Sequence, residues 1–442
     1  MLKDEILCRL NRGNVLTGRC SMNGEAFMDR IFISELKIKH VRHLKNVRIP
    51  LSGDKMKHLI LTGKNGSGKT SVLEALGRHL EEKVSSGRQE QIEAALSYHE
   101  EELRKCKARG EESHRVIEHE NIIKSLKQEL SDITKIFVEF SRPTEEVRYF
   151  FGKGEFILAY YKTERIFQAD ISNHIEKVEL RDNYSITETP RQLFVKYLAD
   201  LKVTEALARN NGKIEKADTI KQWFDKLVNL LRKIFSDDSL ELIFEEEKFS
   251  FQIKEKGREP FDFNTLSSGF AAVLDIVLDI IIRMEKKTNR SFDFNIPGIV
   301  LVDEIETHLH IEMQKSILEL LTTIFPNIQL IVSTHSPFIL NSISDAVIYD
   351  LENNILVEDG LADIPYGGVV EGYFRSSEMS SILEEKFARY KALVKKQSLT
   401  DDDFEEIAGL EFFLNEIPDY LALNITTEYQ RLKLEFESRE DI

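Results

Sequence analysis

A glycine-rich stretch that follows an apolar run has the spacing of a phosphate-binding loop. Residues 63–70 match the pattern G-x-x-x-x-G-K-[ST] in full, and a helical pattern follows them. Glycines allow the backbone N–H groups to surround an anion, and the helix start adds partial positive charge. Lys69 is expected to reach the terminal phosphates, and the Thr70 hydroxyl is expected to bind Mg²⁺. The stretch therefore predicts a nucleoside triphosphate site, whose expected contacts are Gly63, Lys64, Asn65, Gly66, Ser67, Gly68, Lys69, Thr70 and Ser71.

Two adjacent carboxylates follow the apolar run 299–302. A strand that ends in Asp303 and Glu304 suits a site for a magnesium nucleotide. Asp303 is expected to bind the metal, directly or through water, and Glu304 to orient and polarise the attacking water. Taken alone, the pattern also fits a core strand that reaches a capped loop. The complete phosphate loop upstream favours the catalytic interpretation.

Residues 266–270, Leu-Ser-Ser-Gly-Phe, open a long helical pattern and form a third candidate element. Ser267 and Gly269, with the backbone amides of the helix start, are suited to face a terminal phosphate. Serine and glycine before a helix are also ordinary capping residues, so this signal is weak on its own. Its position just ahead of the Asp303–Glu304 strand strengthens it.

A histidine lies directly after the apolar run 328–332. Residues at the carboxyl ends of parallel strands point into the crevice where ligands bind, so His335 is expected to sense the terminal phosphate. The alternative is a loop histidine satisfied by nearby backbone. The order of the motifs favours the functional interpretation, in which Lys69, Glu304 and His335 carry catalysis.

The elements that must position these residues follow from hydrophobic periodicity. Alternation over 31–50 predicts strands, and the short apolar runs 299–302 and 328–332 predict strands buried on both faces of a parallel sheet. The helix expected over 311–324 completes a β-α-β unit between them. Further strands are expected over 133–140, 156–161, 240–244 and 249–253, and helices over 190–235, 266–284, 382–394, 402–417 and 426–436.

Residues 81–131 differ from the rest because they are rich in charged residues and glutamine. Their apolar residues recur at near-heptad spacing around Gly110, which predicts two antiparallel helices in a short coiled-coil hairpin; a single solvated helix is the alternative. The expected division of the chain is an unassigned segment 1–30, an ATPase lobe 31–80, the hairpin 81–131, the continued core 132–355 and a helical C-terminal extension 356–442.

Composition limits the range of functions. The formal net charge is −16, so the chain is not expected to coat nucleic acid, and DNA contact would need a local basic patch or a partner. Cys8, Cys20 and Cys106 are too few and scattered for a disulfide framework or a zinc site, which favours a reducing cytoplasm. The most apolar stretch, 270–284, is too short and too interrupted by aspartates to predict a membrane span.

The four motifs occur in the order of the ATP-binding-cassette (ABC) ATPase superfamily, which this chain resembles over residues 31–350. The resemblance implies an α/β fold: an ABC-ATPase head with a mixed N-terminal sheet, a parallel phosphate-loop core sheet and flanking helices. It also implies ATP and Mg²⁺ as cofactors, with Gln168 as the candidate glutamine ligand of the metal. Residues 303–310 and 333–338 resemble the branch with SMC-like and OLD-type ATPases.

Two residues depart from the wider family pattern. Phe270 stands where the signature usually ends in glutamine, and His310 replaces the aspartate of the loop after the Asp-Glu strand. The resemblance implies that Ser267 faces the terminal phosphate bound by a second copy of the chain, and that the aspartate replaced by His310 makes a further contact between the copies near the nucleotide. Hydrolysis is therefore expected to be slow or to need a partner.

Within this branch, the overall plan is similar to the ATPases of bacterial Septu anti-phage systems, with PARIS-type and retron companions as runners-up. The hairpin is too short for the long arms of SMC proteins, and no nuclease motif follows His335. The resemblance implies a homodimer or larger homo-oligomer, a partner nuclease of HNH or Toprim type, and DNA contact through the complex. Residues 356–442 are expected to dock that partner or support self-assembly, although a simple cap on the core is an equal alternative.

Three other functions fit parts of the sequence. The main alternative is an SMC-like DNA-repair or recombination ATPase that acts directly on DNA, for which salt-sensitive DNA binding would be the discriminator. A soluble ATPase subunit of a membrane transporter is disfavoured by the amino-acid sequence of residues 303–310. An assembly protein that keeps ATP as a structural ligand without hydrolysis is the third.

Overall fold

The computed structural model describes residues 31–109, 113–165, 167–170, 176–362, 364, 381–415 and 423–439. The unassigned segment 1–30, the expected hairpin junction at Gly110 and the end of the helix expected over 402–417 lie outside the described residues. No helix among the described residues has both the length and the apolar character needed to cross a bilayer.

A six-stranded sheet carries the phosphate loop. Its strands follow the order β12-β11-β3-β10-β9-β5, and every pair is parallel except β11–β12 at one edge. The strands are β3 (His58–Thr62), β5 (Ile157–Tyr161), β9 (Gly298–Val302), β10 (Ile328–Ser333), β11 (Ala346–Asp350) and β12 (Ile355–Val357). The adjacent parallel strands β9 and β10 confirm the expected β-α-β unit.

Two smaller sheets are antiparallel throughout their described pairs. The first has the order β2-β1-β4, and the second has the order β6-β7-β8. Their strands are β1 (Ile33–Val41), β2 (Leu44–Pro50), β4 (Ile136–Phe140), β6 (Glu241–Glu245), β7 (Ser250–Lys254) and β8 (Phe261–Asp262).

Helices fill the connections between these strands. A π-helical segment, Glu81–Ser86, follows the first α-helix, and a 3₁₀ turn, Pro190–Leu193, precedes the fifth. The α-helices are α1 (Lys69–Leu80), α2 (Arg88–Arg109), α3 (Ser113–Ile133), α4 (Thr144–Gly152), α5 (Phe194–Asn210), α6 (Ile214–Phe235), α7 (Ser268–Thr288), α8 (Ile311–Ile324), α9 (Pro337–Leu340), α10 (Ser381–Val394), α11 (Asp401–Asn415) and α12 (Leu423–Glu437).

Alternate residues of the central strands enter two different hydrophobic cores. In β9, Val300 and Val302 belong to the core that includes α7, whereas Ile299 and Leu301 belong to the core that includes β1 and α1. Successive side chains of a strand point to opposite faces, so the sheet is covered on both sides. The predicted α/β fold with a parallel core sheet is confirmed.

Helices α2 and α3 lie antiparallel to each other. Ion pairs join Arg88 to Glu129 at one end and Lys107 to Glu120 at the other. The three C-terminal helices have a hydrophobic cluster of their own, which includes Phe387, Tyr390, Tyr429 and Leu432. The division of the chain into domains, and the coiled-coil character of α2 and α3, stay predictions.

The sequence pattern predicted some boundaries of helices and strands incorrectly. The strand expected over 133–140 begins only at Ile136, because α3 continues to Ile133 and β4 then pairs with β1. The expectation of helix over 190–235 holds with a break between α5 and α6. The sequence analysis did not predict β11 and β12, although β11 lies directly beside β3.

Candidate nucleotide-binding site

The carboxyl edge of the six-stranded sheet consists of residues 63–70 after β3, residues 303–308 after β9 and residues 333–336 at the end of β10. Parallel strands present their carboxyl ends at one edge, which is where ligands bind in open α/β sheets. Three of the four sequence motifs therefore lie together, as their order along the chain predicts.

The backbone of the phosphate loop needs its glycines. Gly63, Gly66 and Gly68 have φ of 130°, 85° and 101°, values that other residues rarely adopt. A Cβ at Gly63 would lie 2.9 Å from the Ser67 Oγ, and one at Gly68 would lie 3.3 Å from Leu44 Cδ1. Gly68 immediately precedes α1, so its backbone turns the chain into the helix whose N-terminus favours an anion.

Lys69 is buried, and its ammonium group lies inside the loop. Its Nζ donates hydrogen bonds to the carbonyl oxygens of Gly63 at 2.8 Å and Lys64 at 3.2 Å. Burial lowers the pKa of Lys69, while Glu304 and other nearby carboxylates oppose that shift. A buried cation beside an anion-binding loop is suited to contact phosphate oxygens.

Hydroxyl groups hold the carboxylate of Asp303 in place. Ser333 Oγ donates to Asp303 Oδ1 at 2.5 Å, and Thr163 Oγ1 donates to Oδ2 at 3.1 Å. The Ser333 hydroxyl also accepts a 2.7 Å hydrogen bond from the Glu304 N–H. Glu304 has a φ of 45°, a left-handed conformation that is strained for a side chain of this kind. The buried Asp303 and the partly exposed Glu304 are thus fixed side by side.

His335 lies next to a glutamate that the sequence analysis did not select. The His335 backbone N–H donates to Glu306 Oε1 at 2.5 Å. Burial lowers the pKa of His335, and the positive charge of Lys69 lowers it further. Electrostatic coupling between Lys69 and both residues places His335 and Glu306 in the same cluster as Asp303 and Glu304. The signal that could have indicated Glu306 is its place within residues 303–310, the stretch that resembles the SMC-like and OLD-type branch.

Several polar atoms at this edge are buried with no hydrogen-bond partner among the described residues. They are Thr62 Oγ1, Ser67 Oγ and Glu306 Oε2. A buried polar group without a partner costs about 1–3 kcal/mol, so such groups are rare in folded proteins. Such atoms also occur elsewhere in the described chain, for example at Trp223, but beside the phosphate loop a polar ligand could supply the missing partners.

The segment after β5 contacts the site through residues that the sequence analysis did not choose. Gln168 is exposed, and among the described residues no hydrogen bond joins it to Asp303. Thr163 contacts Asp303 instead. Arg165, which is only 2% exposed, donates to the carbonyl oxygens of Asp303 and Glu304. The choice of Gln168 as metal ligand stays a prediction, with no contact in the described chain to support it.

The start of α7 contacts the loop after β9 rather than the phosphate loop. A Cβ at the buried Gly269 would lie 3.1 Å from the carbonyl oxygen of His308. Phe270 stacks on Phe235 with ring centroids 4.1 Å apart, so the residue that replaces the family's glutamine serves the core. Ser267 is exposed, and no hydrogen bond of the described residues ties its side chain to the phosphate loop of the same chain.

The turn between β11 and β12 forms a second wall beside the phosphate loop. Glu352 pairs with the Lys64 ammonium at 3.0 Å and accepts a 3.2 Å hydrogen bond from the Lys64 N–H. Asp350 Oδ1 would lie 3.3 Å from a Cβ at Gly63. A cavity of about 420 Å³ separates this turn from residues 43–47 and reaches Ser67. Residues almost 290 positions apart in the chain therefore enclose the loop, and the sequence pattern gave no sign of this wall.

The α/β fold with a phosphate loop at the carboxyl edge of its parallel sheet is that of an ATPase family of the AAA type. The chain belongs to the family described as "AAA domain, putative AbiEii toxin, Type IV TA system", whose profile matches residues 59–341. That range begins in β3 and ends just after α9, so it contains the phosphate loop, the start of α7, the Asp303–Glu304 pair and His335.

Two curated relatives are a Septu protein and a probable retron ATPase. It is 25% identical over 419 residues to the Septu protein PtuA of Bacillus mycoides (strain KBAB4), which covers 90% of this chain and 52% of the relative. It is 27% identical over 287 residues to the "Retron Ec83 probable ATPase" of Escherichia coli, which covers 62% of this chain and 49% of that relative. The resemblance expected from the motifs is confirmed, and the chain spans about half the length of these relatives.

Solved structures with some likeness to the chain include an SMC head. The crystal structure of the SmcHead bound to the C-winged helix domain of ScpA matches with a TM-score of 0.38 and 16% identity. The match covers 76% of this chain and all of that structure.

Proposed function

We propose that the chain binds ATP with Mg²⁺ at the carboxyl edge and hydrolyses it. The observation that carries the proposal is the convergence of Lys69, Asp303, Glu304 and His335 on a glycine-rich loop whose Ser67 hydroxyl is buried with no partner in the part of the chain that the structure describes. Oxygen ligands suit Mg²⁺, and the exposed Thr70 hydroxyl and the Asp303 carboxylate fit that need.

Each residue has a role that its position supports. The Lys69 ammonium would exchange its two carbonyl partners for phosphate oxygens. The partly exposed Glu304 would accept a hydrogen bond from the attacking water, and His335 would contact the terminal phosphate. The metal, held by Thr70 and Asp303, would neutralise negative charge on the phosphates.

A second copy of the chain would complete the site. Ser267 is exposed at the N-terminus of the long helix α7, where the amide groups carry partial positive charge. Its side chain has no bond to its own phosphate loop among the described residues, so it is available to the triphosphate bound by another protomer. The chain would then form a homodimer or larger homo-oligomer when ATP is present.

The cellular role we propose is regulation of a partner nuclease, of HNH or Toprim type, in anti-phage defence. The similarity to the Septu protein PtuA and to the retron ATPase supports this role. The partner or further copies would dock on the C-terminal part, 356–442, with DNA contact through the complex. In that part Ile382, Phe412 and Leu434 are at least 63% exposed, an arrangement that suits protein contacts.

Hydrolysis and its site can be tested with two variants. The wild-type chain is expected to release phosphate from ATP. Lys69→Ala should abolish nucleotide binding, because it removes the buried cation. Glu304→Gln should keep ATP binding but slow hydrolysis by about 10² or more, because it removes the carboxylate that orients water. Titration calorimetry and phosphate release would measure both, and the exposed Lys39→Ala is the control.

Retention of hydrolysis by Lys69→Ala would contradict the proposal. Light scattering of Glu304→Gln with ATP should show dimers that Ser267→Arg prevents. Phage plating in cells that carry the chain with its genomic neighbours tests the defence role. Protection unchanged by Lys69→Ala would contradict that role.

A further inference from the structure

Arg165 lies in the segment after β5 and is buried against the loop that follows β9. Its Nη1 donates to the carbonyl oxygen of Asp303 at 2.6 Å. Its Nη2 donates to the carbonyl oxygens of Glu304 at 2.8 Å, Ile305 at 3.2 Å and Thr307 at 3.4 Å. One guanidinium group therefore binds four carbonyl groups within five consecutive residues.

The loop that Arg165 contacts has a strained backbone. Glu304 and His308 have φ of 45° and 70°, and conformations of this kind persist only when the surrounding structure fixes them. The Ile305 N–H donates to the Ser333 carbonyl oxygen, which anchors the loop to β10 from one side. Arg165 binds the carbonyl groups of the loop and so anchors it from another side.

The chemistry of arginine suits this position. Burial lowers the pKa of Arg165, and the nearby Asp275 and the carboxylates of the site oppose that shift. A planar guanidinium with several donors can reach separate carbonyl groups at once, whereas a lysine ammonium is a point charge on a flexible chain. Both terminal nitrogens of the guanidinium thus have carbonyl partners on the loop, while Nε is buried with no partner among the described residues.

The far end of the same segment is tied to the loop before α7. The Ala169 N–H donates to Asn264 Oδ1 at 2.7 Å, and Asn264 Nδ2 donates to the Ala169 carbonyl oxygen at 3.1 Å. Thr163 meanwhile contacts the Asp303 carboxylate. The described parts of this segment therefore connect the Asp303 loop with the region just ahead of Ser267.

We propose that Arg165 is a positioning residue that holds the loop 303–307 so that Glu304 lies where hydrolysis requires it. Arg165 has no contact with the phosphate loop among the hydrogen bonds of the described residues. Its loss should therefore slow the chemical step and leave nucleotide binding intact. The inference rests on the proposed ATP hydrolysis.

The test compares Arg165→Lys with Arg148→Lys in the full chain. Arg148 also donates to a backbone carbonyl oxygen, that of Lys83 at 3.0 Å, outside the site. We expect Arg165→Lys to lower kcat about tenfold or more, since small misplacements of catalytic groups have effects of this size. KM and the ATP dissociation constant should change by less than about twofold. Arg148→Lys should match the wild type in both, and thermal melting should show that both variants are folded.

Chemical rescue separates positioning from general loss of structure. Guanidinium ion added to Arg165→Ala should restore part of the hydrolysis rate, whereas sodium at equal ionic strength should not. The inference would be overturned if folded Arg165→Lys had the wild-type kcat, or if its ATP affinity fell as much as its kcat. In either case, ATP hydrolysis by the wild-type chain would still support the proposed function. A wild-type chain that does not hydrolyse ATP would overturn the proposed function and this inference with it.

Discussion

The carboxyl edge and the helix pair α2–α3 differ in whether their polar groups have partners. At the carboxyl edge, hydroxyl and carboxylate oxygens such as Ser67 Oγ and Glu306 Oε2 are buried without partners among the described residues. On the helix pair, charges are paired across the surface, for example Lys107 with Glu120 and Lys127 with Glu100. Unpartnered buried groups reduce stability, whereas exposed pairs have little effect on it.

The two regions also differ in backbone conformation. Positive φ values occur at Gly63, Gly66 and Gly68 of the carboxyl edge, and at Glu304 and His308. The helix pair is regular, and its buried residues are few, including Ile92 and Cys106. Of these two regions, the proposed ligand site has the strained backbone and the unpaired buried polar atoms, whereas the charged helices have the regular backbone and paired charges of a solvated surface.

The largest effect is expected at the C-terminal end of α1, the helix that begins at the carboxyl edge and contacts the helix pair. His79 on α1 is fully buried, its Nδ1 lies 3.3 Å from the Ile133 carbonyl oxygen at the end of α3, and burial lowers its pKa to about 4. The folded state therefore favours neutral histidine, and the unfolded chain takes up the proton first as pH falls. Stability from this group should be complete above about pH 6.5 and should decrease by about 3 kcal/mol as pH falls to about 4.

Urea unfolding at a series of pH values would measure this dependence. His79→Gln should flatten the loss of stability between pH 6.5 and 4 relative to the wild type, and the exposed His40→Gln should not. An identical pH dependence in wild type and His79→Gln would show that the junction does not depend on a neutral histidine.

A smaller effect is expected from the backbone of the phosphate loop. Gly68→Ala should weaken ATP binding by about tenfold, since an L-residue at a φ of 101° costs on the order of 1–3 kcal/mol and its Cβ would contact Leu44. Gly53→Ala is the control, because a Cβ there meets nothing within 4 Å. Calorimetric titration with ATP measures both, and equal affinities would contradict the view that strain at the carboxyl edge serves the ligand.

The smallest effect is expected on the helix pair. Lys107→Gln removes an ion pair whose side chains are about half exposed, and the free energy of unfolding should change by less than about 0.5 kcal/mol. A double-mutant cycle with Glu120→Gln in urea gives the coupling energy. A coupling energy of several kcal/mol would contradict the view that the exposed ion pairs of the helix pair have little effect on stability.

Local signals were enough to predict most of the carboxyl edge. The glycine spacing of 63–70 and the apolar strands β9 and β10 each lie within a few residues, and the parallel order of strands then brings Lys69, Asp303 and His335 together. The role of Gly269 was predicted from similar spacing, but its described contact is with His308 in the same chain.

The residues that the sequence did not indicate depend on long-range contacts. Arg165 meets carbonyl groups about 140 positions away, and Glu352 meets Lys64 at a separation of 288. Neither residue belongs to a motif. Every residue type has a backbone carbonyl group, so the sequence does not show which carbonyl groups Arg165 binds. Gln168 was chosen by family pattern, and the described contact comes from Thr163 because that residue lies two positions after β5, at the Asp303 edge.

The position of β3 in the sheet has a consequence for biosynthesis. Its neighbours β10 and β11 are made about 270 and about 290 residues later, so the strand that leads into the phosphate loop has no partner in this sheet until β10 has left the ribosome. Such non-local pairing slows folding and delays its completion. A chain that is still being synthesised should therefore be unable to bind nucleotide at this loop for most of its synthesis. Incomplete copies would then be inactive.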